Sequence, residues 1–174
     1  MTLETAEGSK PLLIAGGAGY GTPKDFASGQ HTQTGSASNI PGSSGVQTFS
    51  NNGQSNFYCA GAGFVSGPEV RHLEKRSKAP SSYENGLVGG KGIDSLGAVM
   101  EGGFGGGGAT FYSNSSYFFG AGGGYTGGGT RFNSGSSYWG GGGGSFSCVE
   151  DAVFGHNDKV YGTCKLELLT NSLN

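Results

Sequence analysis

The chain is poor in most of what builds an ordinary interior or an active site. Charged residues make up 13% of its 174 positions and the net charge is −2. That balance gives no basic footprint for nucleic acid, and no Arg-Gly-Gly repeats occur. No apolar run approaches the roughly 18 residues of a membrane span, so membrane insertion is not expected. The start, Met1-Thr2-Leu3-Glu4, lacks the basic and apolar regions of a signal peptide. The chain is expected to be a mature or recombinant piece, or to be exported without such a leader. Cysteine is scarce as well. Cys59, Cys148 and Cys164 cannot all pair within one chain; a Cys148–Cys164 bridge leaves Cys59 free or intermolecular, and three reduced, small apolar residues are the alternative.

Catalytic chemistry finds no foothold. His31, His72 and His156 stand far apart and in no ligand spacing. His156-Asn157-Asp158 near Glu150-Asp151 has the composition of a cation site, but a solvated loop explains it as well, and no metal is expected. There is no nucleophile elbow, phosphate loop or Cys-x-x-Cys motif. Gly16-Gly17-Ala18-Gly19-Tyr20-Gly21 follows the apolar segment Pro11–Ala15, which invites a dinucleotide-binding reading. The third glycine position holds Thr22 and no helical pattern follows, so the fingerprint fails. No cofactor and no enzymatic activity are expected.

What the chain has is glycine, 39 residues of it. Glycine loses the most conformational entropy on ordering, so such a composition usually marks a disordered chain. Two features argue for folding instead. Solvated disorder usually carries more net charge, and the aromatics, 11% of the chain, are inserted between the glycine runs. GGFGGGG begins at Gly102, GAGGGYTGGG at Gly120 and GGGGG at Gly140, roughly every twenty residues. The intervening segments 109–119 and 130–139 read as hairpins, with β-favouring arms and turns at Asn-Ser-Ser or Asn-Ser-Gly-Ser. Hairpins lay successive glycine runs antiparallel, and successive inserts then fall at opposite ends.

Side by side, such runs suit the polyproline-II type of helix, with roughly three residues per turn, a rise of about 3.1 Å and no internal hydrogen bonds. Its outward N–H and C=O groups need partners when buried. Without Cβ atoms, neighbouring helices approach closely enough to supply them. Runs of five to ten residues would span on the order of 15–31 Å. The fold class expected is mostly β and irregular: a bundle of polyglycine-II helices linked by aromatic hairpins. A small sheet is expected to pair Leu12–Ile14 with the alternating C-terminal segment Lys159–Leu169. Residues 22–55 read as long loops with short extended pieces. Residues 56–65 read as a second strand running into glycine. Pro68 at a first helical position predicts a short exposed helix over 69–78; Lys75-Arg76 within it has the form of a dibasic processing site. The whole chain, 1–174, is read as one domain.

The ordered series Leu12-Leu13-Ile14-Ala15-Gly16-Gly17, GGFGGGG, GGGYTGGG at 122–129 and GGGGGSF at 140–146, closed by a terminal strand, resembles the glycine-rich extracellular domain of anaplastic lymphoma kinase and leukocyte tyrosine kinase, and related stand-alone glycine-rich proteins. The similarity runs from about residue 3 to 169; its specificity lies in the order of the motifs, since one glycine run means nothing. The resemblance implies an extracellular bundle of polyglycine-II helices joined to a β-rich part, with a binding role. No kinase domain, membrane span or cysteine-rich module accompanies it here, and no ligand-contact residue carries over.

The function expected is a non-catalytic extracellular binding or assembly module. Its partner would be a protein ligand or cell-surface glycan, or further copies of itself through end loops. Alternatives are a bacteriophage tail-fibre tip adhesin on the virion and a self-assembling fibre subunit cross-linked through Cys59. The candidate binding residues are Tyr112, Tyr117 and Phe118 from one insert and Arg131, Tyr138 and Trp139 from the next, since Tyr, Trp and Arg dominate binding hot spots. The competing expectation is that these aromatics cap a glycine core. Asn114-Ser115-Ser116 is a glycosylation sequon on a hairpin tip, relevant if a eukaryote secretes the chain.

Overall fold

The structure is a computed structural model. It describes residues 1–21, 24–38, 40–45, 59–68, 78–93, 97–113, 116–133, 137–150 and 152–155. The described residues are short strands, small sheets and irregular chain, with few helices. β1 (Thr2–Thr5) and β2 (Gly8–Pro11) form an antiparallel hairpin. β3 (Leu13–Ile14) follows, then one turn of helix, α1 (Lys24–Ala27), and a short 3-10 helix (Tyr83–Asn85). β4 (Lys91–Ile93) and β5 (Val99–Glu101) pair antiparallel. The inserts follow as β6 (Phe111–Ser113), β7 (Ser116–Phe118), β8 (Thr130–Asn133) and β9 (Ser137–Gly140), and β10 (Phe146–Ser147) ends the series. No helix among the described residues is long and apolar enough to cross a membrane.

Both inserts are hairpins. Phe111 faces Phe118 and Tyr112 faces Tyr117 in the first; Arg131 faces Trp139 and Phe132 faces Tyr138 in the second. They are not at opposite ends. β7 and β9 pair parallel, which merges the hairpins into one sheet of order β6-β7-β9-β8. The sequence expectation misplaced them because the run 120–129 is not one segment. It descends to Gly123, reverses around Tyr125, and returns, and the Gly128 N–H donates across the reversal to Gly122 (2.8 Å). The first run reverses too, through Gly105 and Gly106 in the left-handed region (φ 89° and 82°), where side chains are strained.

The partner of β3 is β10, with Ile14 opposite Phe146. The expected partner, Lys159–Leu169, lies outside the described residues, as do 69–77 of the expected helix. Lys78 at the end of that segment is extended, exchanging backbone hydrogen bonds with Lys91 (2.7 Å each).

Hydrogen bonding among the glycine segments follows a rule. Along 140–145, donors three residues apart serve the same neighbour. Gly140 and Gly143 donate to Tyr20 and Gly17, Gly141 and Gly144 to Gly129 and Thr126, and Gly142 and Ser145 to Phe26 and Thr32, all at 2.7–3.0 Å. One stretch of six residues is thus bonded on three sides. Segment 120–124 repeats the pattern: Gly120 and Gly123 accept from Tyr20 and Gly17, while Ala121 and Gly124 donate to Cys59 and Ala62.

Such proximity leaves no space for side chains. A Cβ on Gly142 would run into the Ser28 carbonyl, one on Gly128 into the Gly141 carbonyl, and one on Gly123 into the Gly105 carbonyl. None of these three has a positive φ. Glycine is required there by the approach of another backbone. Apolar burial is correspondingly small: among the described residues the buried apolar side chains are mostly alanines, with Cys59, Phe64, Phe118 and Tyr138.

The β1–β2 hairpin is tied to the body through a polar cluster. Glu4 accepts from Ser9 (2.6 Å) and from the Tyr83 hydroxyl (3.1 Å), and Thr2 lies 2.7 Å from that hydroxyl. Hydrogen bonds from Ser9, Tyr83 and Thr2 hold the Glu4 carboxyl below its ordinary value of 4.5. A depressed carboxyl stabilises the folded form above its unfolded pKa, and the benefit disappears as pH falls through the folded value. Protection of the β1–β2 amides, taken relative to the intrinsic exchange rate at each pH, should therefore fall on acidification below about pH 4.5, and Glu4→Gln should abolish that loss.

A sharper test concerns glycine itself. Gly142→Ala should destabilise the fold by roughly 2–6 kcal/mol, because relieving the clash with Ser28 pulls the buried Gly142 N–H and C=O off Phe26 and Ser36, at about 1–3 kcal/mol each. At Gly103 a Cβ meets open space, so Gly103→Ala should be neutral or stabilising by up to about 1 kcal/mol. Urea melts of the two variants check this; equal midpoints would contradict the packing described.

Candidate functional site: the four-stranded aromatic sheet

Period-two alternation gives the four-stranded sheet two chemically different faces. Register places Tyr112, Tyr117, Trp139 and Arg131 on one face and Phe118, Tyr138 and Phe132 on the other. The second face is turned inward. Phe118 (3% exposed) and Tyr138 (5%) stack at 4.4 Å with rings 16° apart, and Cys59 and Ala79 pack with them. Phe132 covers Tyr138 from the edge strand at 5.1 Å. The Cys59 thiol is fully buried against the Phe118 carbonyl (3.9 Å), and burial pushes its pKa up. Such a thiol cannot cross-link subunits, so the role expected for Cys59 fails on access. The exposed free thiol is Cys148; its expected partner Cys164 lies outside the described residues, as does Asn114.

The first face is open. Tyr117 is 51% exposed and its ring meets Tyr112 at 4.6 Å and Phe119 at 6.0 Å. Phe119 in turn meets Tyr20, 65% exposed, at 4.6 Å. Tyr20 reaches the sheet because its carbonyl accepts from Gly140 and its N–H donates to Gly120. Next to it, Trp139 occupies the space that a side chain at Gly21 would need: a Cβ there would lie 2.6 Å from the Trp139 Cβ. Arg131 is exposed, its guanidinium over the Phe26 ring at 6.0 Å. Cation–π contact orders that long side chain while leaving its donors in water.

The six expected binding residues therefore divide. Tyr112, Tyr117, Arg131 and Trp139 share the open face; Phe118 and Tyr138 are core. Tyr20, Phe119 and Phe26 belong to the open site and were missed by sequence reasoning. Tyr20 and Phe119 had a readable signal, since each borders a glycine run, where a backbone-packed segment first has space for a side chain. The opposite end obeys the same rule, with Tyr83, Phe64, Tyr125 and Phe146 in a row at 4.9, 6.2 and 4.6 Å. That row is less open: Phe64 is buried and Tyr83 spends its hydroxyl on Thr2 and Glu4.

Among the described residues, no cluster of His, Cys, Asp and Glu could hold a metal ion. The site has rings, hydroxyls and a guanidinium, which suits binding. Comparison with family models, with curated proteins and with solved structures finds no match.

The two faces predict opposite mutational behaviour. Phe118→Ala should cost about 3–5 kcal/mol of stability, whereas Tyr117→Ala should stay within about 1 kcal/mol, by thermal melting. Thiol alkylation of the native protein should modify Cys148 and spare Cys59, with Cys59 reacting only after unfolding.

Proposed function

We propose that this chain is a non-catalytic extracellular binding module in which a bundle of polyglycine-II helices holds an aromatic sheet face outward for a partner. The observation that carries the scaffold half is the three-residue alternation of donors along 140–145, since roughly three residues per turn is the repeat of that helix. The resemblance to the glycine-rich domain of the anaplastic lymphoma kinase type points the same way, as does the requirement for glycine at positions of ordinary φ.

The binding half rests on the open face. Tyr, Trp and Arg supply large contact area with polar handles, and here they project from strands anchored in the bundle, so little ordering entropy is lost on contact. The fibre-subunit alternative loses its cross-linking thiol, because Cys59 is buried.

Two measurements test the halves separately. NMR couplings in Gly140–Gly144 should report φ near −75°, the polyproline-II value; values near −140°, those of antiparallel strands, would sink the scaffold reading. Pull-down from native cell-surface material should lose its partner with Tyr117→Ala or Tyr20→Ala at unchanged melting temperature. Retained capture by both variants would move the binding site elsewhere.

A further inference from the structure

The open sheet face has two properties beyond exposure, and together they specify a ligand. The first is free hydrogen-bonding capacity. No intramolecular hydrogen bond engages the hydroxyls of Tyr20, Tyr112 or Tyr117 among the described residues, in contrast to Tyr83. These hydroxyls stand at the rims of rings that are themselves partly exposed. A purely apolar partner would leave them unsatisfied, which is costly once water is displaced.

The second property is a single unpaired cation. Among the described residues Arg131 has no carboxylate partner, and the only ion pair there, Lys10–Glu7, belongs to the β1–β2 hairpin. Arg131 lies on the face that carries the tyrosines, opposite Trp139 in the register. Its fork of donors matches a carboxylate through two parallel hydrogen bonds.

A partner that fits offers flat C–H surfaces to the electron-rich ring faces, hydroxyls to the tyrosine hydroxyls, and one carboxylate to Arg131. Pyranose sugars have that alternation of C–H faces and hydroxyl rims. A densely sulfated polymer does not fit, because one guanidinium on a chain of net charge −2 gives no field for a polyanion. Resting on the reading of this face as the binding surface, we propose that it binds a largely neutral glycan bearing a carboxylate. Sugar units lie along the Tyr112–Tyr117–Phe119–Tyr20 row, and the carboxylate is held by Arg131.

Saturation-transfer NMR titrations with sialyllactose, lactose and heparin test this on the full chain. Sialyllactose should bind roughly ten- to a hundredfold more tightly than lactose, the range of one hydrogen bond to a charged group. Arg131→Gln should erase that difference and leave lactose affinity unchanged, while Tyr117→Ala and Tyr20→Ala weaken both sugars without lowering the melting temperature. Equal affinity for the two sugars, or tighter binding of heparin, overturns the carboxylate assignment. If no sugar binds while Tyr117→Ala still abolishes capture of native cell-surface material, the glycan class is wrong and the binding face stands. Capture indifferent to Tyr117→Ala defeats the face itself.

Discussion

Everything in this molecule depends on the peptide groups of one glycine segment finding partners on another. A segment without side chains cannot bury hydrocarbon, and it cannot leave its N–H and C=O groups unpaired in the interior. Both conditions are met when backbones approach until each carbonyl accepts from a neighbour, and that distance has no space for a Cβ. Residues 140–145 show the constraint in its fullest form, with neighbours on three sides. The cost of ordering glycine is met by hydrogen bonds rather than by burial of apolar surface.

From that constraint follows the placement of the side chains. Bulky residues are excluded from the segments and collect where the chain turns, so aromatic rows cap both ends. The two caps differ in their surroundings. At the far end Phe64 is buried, Tyr125 and Phe146 are part-buried, and the Tyr83 hydroxyl ties down the N-terminal hairpin. At the near end, Phe118 and Tyr138 close the interior while their strand neighbours Tyr117 and Trp139 look outward. A single alternation of residue type along β7 and β9 thus divides buried aromatics from exposed ones.

Much of this was legible in the sequence. Glycine runs of interior character, two aromatic hairpins between them, and the mostly β and irregular class all follow from residue types and spacing. The reversal inside GAGGGYTGGG was not legible, because Tyr125-Thr126 has no strong turn signature and an unbroken run suits a longer segment equally well. That one miss put the hairpins at opposite ends and hid the parallel β7–β9 pairing. The pairing of Leu13–Ile14 with Phe146-Ser147 was not anticipated either: it arises from where the last glycine segment delivers that short piece, which has no strong strand signal of its own. Inward and outward aromatics were indistinguishable for a related reason. Tyr117 and Phe118 are adjacent, both aromatic, and only the sheet register decides which faces Cys59.

An interior made of amide groups also sets how stability responds to temperature. Exposing apolar surface raises the heat capacity of unfolding by about 0.45 cal/K/mol per Å², while exposing polar surface lowers it by about 0.26. Ordinary domains are dominated by the first contribution and have strongly curved stability profiles. Here buried amide takes a larger share of the interior, so the heat-capacity change per residue is expected to be smaller and the profile less curved. A fold bonded in this way is expected to lose less of its margin on cooling than a domain that relies on hydrocarbon burial.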